Sequence, residues 1–160
     1  MAKYHFTPSE KITDDPSELD DILTKGTYTV FALCKNNEPY VVTLSYGYDR
    51  EQRALYCHCA RKGLKLDFIR ANNHVCGTVF LDGGYIKEEC GQPYRSVVYR
   101  ATVDELTSLD EKKHAMSVLL SHLEDDPEIV RRRSLNEDER YNAFAILRIN
   151  LGEMTAKKGR

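Results

Sequence analysis

Tryptophan is missing from this 160-residue chain, and so is any long apolar run. No stretch approaches the ~20 consecutive apolar residues of a membrane-spanning helix. The opening MAKYHFTPSEK lacks the apolar core of a secretory leader. An excess of one charge is also missing. Lys and Arg number 23 against 25 Asp and Glu, a net charge of −2, which gives no electrostatic reason to expect nucleic acid or a membrane surface as partner. The five cysteines, Cys34, Cys57, Cys59, Cys76 and Cys90, are an odd number without framework spacing. They exclude a disulfide scaffold and suit a reduced, cytoplasmic protein. No P-loop, nucleophile elbow or dinucleotide fingerprint occurs, and Gly83-Gly84 and Gly91 have no strand–helix context for one.

What is present reads as one domain over residues 1–160, with a loose lead-in at 1–14 and a frayed basic tail at 155–160. Asp15-Pro16-Ser17-Glu18 is a capping box with proline at the first helical position, and predicts a helix over about 16–25 that stops at Gly26. The period then changes to two. Thr27–Cys34, Pro39–Tyr48 and Ala54–Cys59 are expected as three strands of a meander, the first turn being Lys35-Asn36-Asn37-Glu38. A helix at 62–71, a strand Val75–Leu81, a loop Tyr85–Pro93 and a long strand Pro93–Glu105 follow. Ser108-Leu109-Asp110-Glu111 opens a further helix whose apolar stripe is Ala115, Met116, Leu119, Leu120 and Leu123. Asp125–Asn136 is a polar segment, and its Arg131-Arg132-Arg133 reads as a solvated face. The last strand is Tyr141–Leu151. Six mostly antiparallel strands with two to three flanking helices make a mainly β protein, a small closed or partly closed barrel.

The chemistry concentrates in Ala54–Cys76. A strand, Leu55-Tyr56-Cys57-His58-Cys59, empties through Ala60 into Arg61-Lys62-Gly63 and a helix. The first turn of a helix offers free N–H donors and about half a positive charge, and normally attracts Ser, Thr, Asp or Glu. Here it carries two cations and no capping side chain, so an anion, most simply a phosphate, completes the site. The alternative is that Arg61 and Lys62 point into water, at a penalty of only tenths of a kcal/mol. Strand alternation sends Cys57 and Cys59 to one face and His58 to the other, with Ala54 and Tyr56. The triplet therefore cannot converge on one metal ion, and the two thiols suit core packing. His58 stands beside the proposed anion site and is a candidate for ligand contact.

The run YVVTLSYGYD…LYCHCARKGLKLD…YRSVVYRATVDEL, with AILRINLGEMTAKKG at its end, resembles the pyridoxamine 5′-phosphate oxidase-like FMN-binding split barrels, and within them the NimA-related (nitroimidazole-resistance) flavoproteins. The resemblance implies an antiparallel split barrel binding FMN at a two-fold homodimer interface. It assigns the FMN phosphate to Arg61 and Lys62. It lays the backbone of Tyr40, Val41, Val42, Thr43, Leu44 and Ser45 along the flavin ring, and it brings Cys57 and Ser96 to the cofactor. It puts His58 near the reactive face of the flavin, as catalytic residue. Tyr40 and Ser45 stand where the oxidases have Arg and Lys, and their Arg-x-His element has no counterpart here. FMN binding is thus expected without pyridoxamine phosphate oxidation. The expected function is that of an oxidoreductase using FMN and a nicotinamide cofactor or another donor on a small molecule. A non-catalytic flavin- or haem-binding module, and a barrel without cofactor, are the alternatives.

Overall fold

Asp15 starts the first helix as its sequence directs. In this computed structural model, which describes residues 12–159, the Asp15 carboxylate accepts the Ser17 N–H at 3.1 Å. Pro16 fills the first position of α1 (Pro16–Lys25), and Leu19, Ile22 and Leu23 are its buried face. Most of the expected lead-in lies outside the described residues. Its end, Ile12–Thr13, is a short strand β1 that pairs with the end of the chain.

β2 (Tyr28–Lys35) and β3 (Glu38–Ser45) form a hairpin over Asn36 and Asn37. Both asparagines are left-handed, with φ of 50° and 63°, as a two-residue hairpin requires. The expected meander ends there. β4 (Gly47–Asp49) pairs with β5 (Ala54–Cys59), and β5 pairs on its other side with β8 (Ala145–Gly159), not with β3. With β6 (His74–Asp82) and β7 (Tyr94–Glu105), the hydrogen-bonded order is β3-β2-β6-β7-β8-β5-β4. β3 and β4 stand at opposite ends of that path although only Tyr46 separates them in sequence. The chain therefore draws the two ends of the sheet together, and the sheet curls into a barrel split between them.

Eight strands replace the expected six. β1 has two residues and β4 three, too few for a period of two to show. The expected frayed tail is a correction as well. β8 continues through Thr155–Gly159 because β7 pairs with it up to Tyr94↔Gly159 and β1 up to Ile12↔Lys157. The basic end of the chain has partners on both sides that its own composition does not announce.

Inward residues of the strands, among them Phe31, Leu33, Val79, Val97, Tyr99, Leu147 and Ile149, fill the barrel together with α1 and with Leu66, Phe68 and Ile69 of α2 (Leu64–Ala71). A second cluster lies outside the barrel wall. There α3 (Leu109–Leu123) covers Ala54, Tyr56 and Ile146 with Ala115, Met116, Leu119 and Leu120. Gly47 lets α3 approach the wall, since a Cβ there would stand 2.4 Å from Leu119 Cα. His122 fastens the helix. Its Nε2–H donates to the Gly26 carbonyl at 2.6 Å, and its Nδ1 accepts the Tyr48 N–H at 3.4 Å.

The polar segment after α3 holds a further helix, α4 (Pro127–Ser134), started by Asp126 and Pro127 just as Asp15 and Pro16 start α1. None of its residues is buried, so no apolar stripe marks it. A 3-10 turn at Asp138–Asn142 delays the start of β8 from the expected Tyr141 to Ala145. Ser108 precedes α3 as expected, but its side chain makes no capping hydrogen bond. Among the described residues no helix is long and apolar enough to cross a membrane.

Tyr46, fully buried, is the corner of this fold. Its hydroxyl donates to the Leu23 carbonyl at 2.7 Å, and its N–H donates to the Thr27 carbonyl at 3.2 Å. Tyr46→Phe keeps the ring and strands that carbonyl, so it should cost about 1–3 kcal/mol. Urea unfolding of the two proteins measures the loss; unchanged stability would contradict the role of the hydroxyl.

Candidate functional site

β5 ends at Cys59, and the chain passes through Ala60, Arg61 and Lys62 to Gly63, the N-cap of α2. Arg61 and Lys62 therefore precede the helix rather than begin it. Gly63 explains the difference. Its φ of 139° lies where side chains are strained, so only the residues after it can adopt helical geometry. The Gly63 carbonyl takes the Leu66 and Asp67 N–H groups at 3.0 and 3.3 Å, and no side chain caps the helix. Arg61 and Lys62 are exposed and have no hydrogen bond or ion pair among the described residues. Two unpaired cations thus stand at the open N-terminal end of a helix.

β3 is the other wall of the site. It terminates the sheet, so half of its backbone N–H and C=O groups face no strand. Its residues alternate. Tyr40, Val42 and Leu44 turn inward and pack on the core, with Tyr40 and Phe68 ring centroids 5.2 Å apart. Val41, Thr43 and Ser45 point outward and are exposed. Packing brings β3 against β5 without pairing the two strands, which leaves the open seam of the barrel between the free edge of β3 and the strand that leads to Arg61.

The two faces of β5 part as alternation requires. Cys57 and Cys59 are buried inside the barrel, and burial pushes the Cys57 thiol far above its ordinary value. Of Cys57, only the backbone can reach a ligand. His58 points outward, its ring edge-to-face with Phe144 at 5.8 Å. Partial burial lowers its pKa from the usual imidazole value, which keeps the ring uncharged at neutral pH.

Ser96 is not brought to these groups within one chain. It is buried on the outer face of β7, paired with Phe80 on one side and Lys157 on the other. His58 pairs with Ile146, at the opposite end of β8 from Lys157. β5 thus carries His58 and leads into Arg61 and Lys62, with β3 packed against β5, while Ser96 lies on a distant part of the wall. Near Ser96 the outer face carries exposed aromatics, Tyr28 (49% exposed) and Phe80 (40%), with Phe80 stacked on Tyr94 at 5.5 Å. Sequence reasoning missed this patch. Its signal, aromatic residues on the outward phase of two strands, became legible only when the topology made β2 and β6 neighbours.

Comparison with known proteins places this arrangement. Several solved structures share the fold. A protein of Bacteroides thetaiotaomicron described as a putative 5-nitroimidazole antibiotic resistance protein superposes with a TM-score of 0.76 at 21% identity, over 92% of this chain and 86% of that one. An FAD-binding protein of Mesorhizobium loti gives 0.67 at 23% identity, over 94% and 98% of the two chains. An FAD- and haem-binding protein of Mycobacterium smegmatis gives 0.73 at 18% identity, over 94% and 74%. No curated protein matches the sequence. The family model described as pyridoxamine 5′-phosphate oxidase matches residues 15–158, nearly the whole chain from the cap of α1 to the end of β8, and the chain belongs to that family.

Proposed function

We propose that this chain is an FMN-binding flavoprotein, an oxidoreductase that takes electrons from NAD(P)H or another donor and passes them to a small molecule. The observation that carries the reading is the pair Arg61–Lys62, exposed and unpaired at the start of α2, beside the free edge of β3. These residues fit FMN. The two cations and the free N–H groups of α2 would hold its phosphate. The unpaired backbone groups of β3 would serve the polar edge of its ring. The bound cofactor would supply the redox chemistry. The chain's own part is to bind, to orient and to handle the proton, and the uncharged ring of His58 has a nitrogen able to accept one. The departures at Tyr40 and Ser45 argue against pyridoxamine phosphate as the substrate.

The site is completed by a second copy of the chain. Ser96, on β7 and paired with Lys157, lies too far from the Ile146 end of β8 to meet the groove of its own chain, and the exposed aromatics beside it suit a subunit interface. One protomer's Ser96 would then line its partner's groove. All five cysteines are free, in keeping with a reduced, cytoplasmic setting. Haem is the second reading, favoured by the uncharged imidazole of His58, which suits iron ligation. The absorption spectrum of the protein as isolated separates flavin bands from a Soret band.

FMN should bind at least about tenfold more tightly than riboflavin, because a charge-assisted hydrogen bond is worth roughly 1.5–3 kcal/mol. The preference should shrink in Arg61→Ala. Isothermal titration of both ligands tests this, and equal affinities would refute the phosphate assignment.

The lowered pKa of His58 should appear as an NMR titration midpoint below the ordinary ~6.5. His58→Ala should leave the melting temperature and FMN content nearly unchanged while turnover per bound flavin falls by about 10²-fold or more. A lowered melting temperature with intact turnover would mark the residue as structural.

A further inference from the structure

The basic end of the chain is held as a strand because β7 and β1 flank it, and that order aims its cations. Ala156 turns into the barrel and is 1% exposed, so its neighbour Lys157 belongs to the outward phase of β8. Lys157 pairs there with Ser96 of β7, and Ser96 with Phe80 of β6. A row of three side chains, Phe80, Ser96 and Lys157, therefore crosses the outer face.

The three differ in reach. Ser96 is 7% exposed, sunk between two longer neighbours, whereas Phe80 is 40% exposed. A serine hydroxyl ends one bond past Cβ, while a lysine ammonium stands on four carbons and carries its charge clear of the sheet. The Lys157 ammonium lies over the Tyr94 ring, 5.9 Å from its centroid, and Tyr94 is stacked in turn on Phe80 at 5.5 Å. The ring steadies the cation without neutralising it. No carboxylate among the described residues pairs with it. Asp82, on the adjoining row, accepts the Gly84 N–H at 2.9 Å and the Gln92 amide at 2.6 Å instead.

This inference rests on the two-copy reading proposed above, in which the end of the wall that bears Ser96 meets the partner's groove. In such a dimer the group that reaches across is the Lys157 ammonium rather than the sunken serine hydroxyl. We propose that Lys157 of one protomer completes the phosphate site that the partner's Arg61 and Lys62 begin. A phosphate monoester offers three terminal oxygens and nearly two negative charges at neutral pH, acceptors enough for an arginine fork and two ammonium groups. Within one chain the three cations stay apart, because Lys157 lies at the Ser96 end of β8 and β5 pairs with the opposite end. The third cation arrives only when two copies meet, which links FMN binding to assembly.

Isothermal titration of the full chain with FMN and with riboflavin tests this. Lys157→Gln should weaken FMN at least about tenfold and leave riboflavin nearly unchanged, while Lys157→Arg should keep most of the FMN affinity. Lys158→Gln, the same change of charge on the other phase of β8, should keep all of it. Lys157→Gln chains are then co-expressed with chains carrying both Arg61→Ala and Lys62→Ala, and mixed dimers are isolated through two affinity tags. They should contain FMN sites of wild-type affinity that neither variant has alone, since one of their sites joins the intact Arg61 and Lys62 to an intact Lys157. Mixed dimers without such a site overturn the supply of Lys157 by the partner. FMN selectivity that survives Lys157→Gln overturns the proposal and leaves the assignment of the phosphate to Arg61 and Lys62 standing. Equal affinities of the wild-type chain for the two ligands, or a monomer that binds FMN, bring down the underlying reading and the proposal with it.

Discussion

One turn of backbone at Tyr46 decides the architecture. A strand that simply reversed at Ser45 would add a third neighbour to the β2–β3 hairpin and give a flat meander with two distant edges. Tyr46 instead buries its ring, anchors its hydroxyl on the Leu23 carbonyl and its N–H on the Thr27 carbonyl, and sends the next strand to the far end of the sheet. Because consecutive Cα atoms cannot be more than about 3.8 Å apart, the two ends of the hydrogen-bonded path must then meet. The split barrel, the free edge of β3 and the seam beside β5 all follow from that constraint. So does the position of α3, which packs on Gly47 immediately beyond the corner.

The seam places unlike chemistry side by side. An edge strand exposes backbone donors and acceptors that elsewhere invite aggregation. Here they lie next to two cations that no carboxylate neutralises among the described residues. Both features cost stability in an empty protein, the cations through repulsion from each other and from the helix dipole. A ligand with a phosphate and a planar polar ring relieves both at once. Other cations tie elements of the fold together. Arg95 holds Glu18 and Asp21 at 2.8 and 2.7 Å, joining α1 to β7, and Arg70 grips Glu105 through two nitrogens. Arg61 and Lys62 have no such partner among the described residues.

The outer wall is used differently. Where α3 covers it, it is as dry as the barrel interior, with Tyr56 and Ile146 almost wholly buried. Where no helix covers it, aromatics remain exposed at one end and a cleft opens at the other. One continuous sheet thus offers a packed face, an exposed aromatic patch and a recess.

Local rules were enough for much of this. The Asp-Pro cap of α1, the Asn-Asn hairpin, the extent of β5 to the residue, the inward and outward sorting of Cys57, His58 and Cys59, and the apolar stripe of α3 depend on neighbours within a few positions, and the amino-acid sequence determined them. The same Asp-Pro cap stands before α4, but with no buried stripe to support it the helix was not legible. What joins residues far apart came only with the tertiary structure: the neighbour of β3, the pairing that extends β8 to Gly159, the distance between Ser96 and His58, and the cross-strand rows of the outer face. Periodicity tells which face of a strand is buried but not which strand lies beside it. That choice is made by a single buried tyrosine and by the global packing of the sheet it closes.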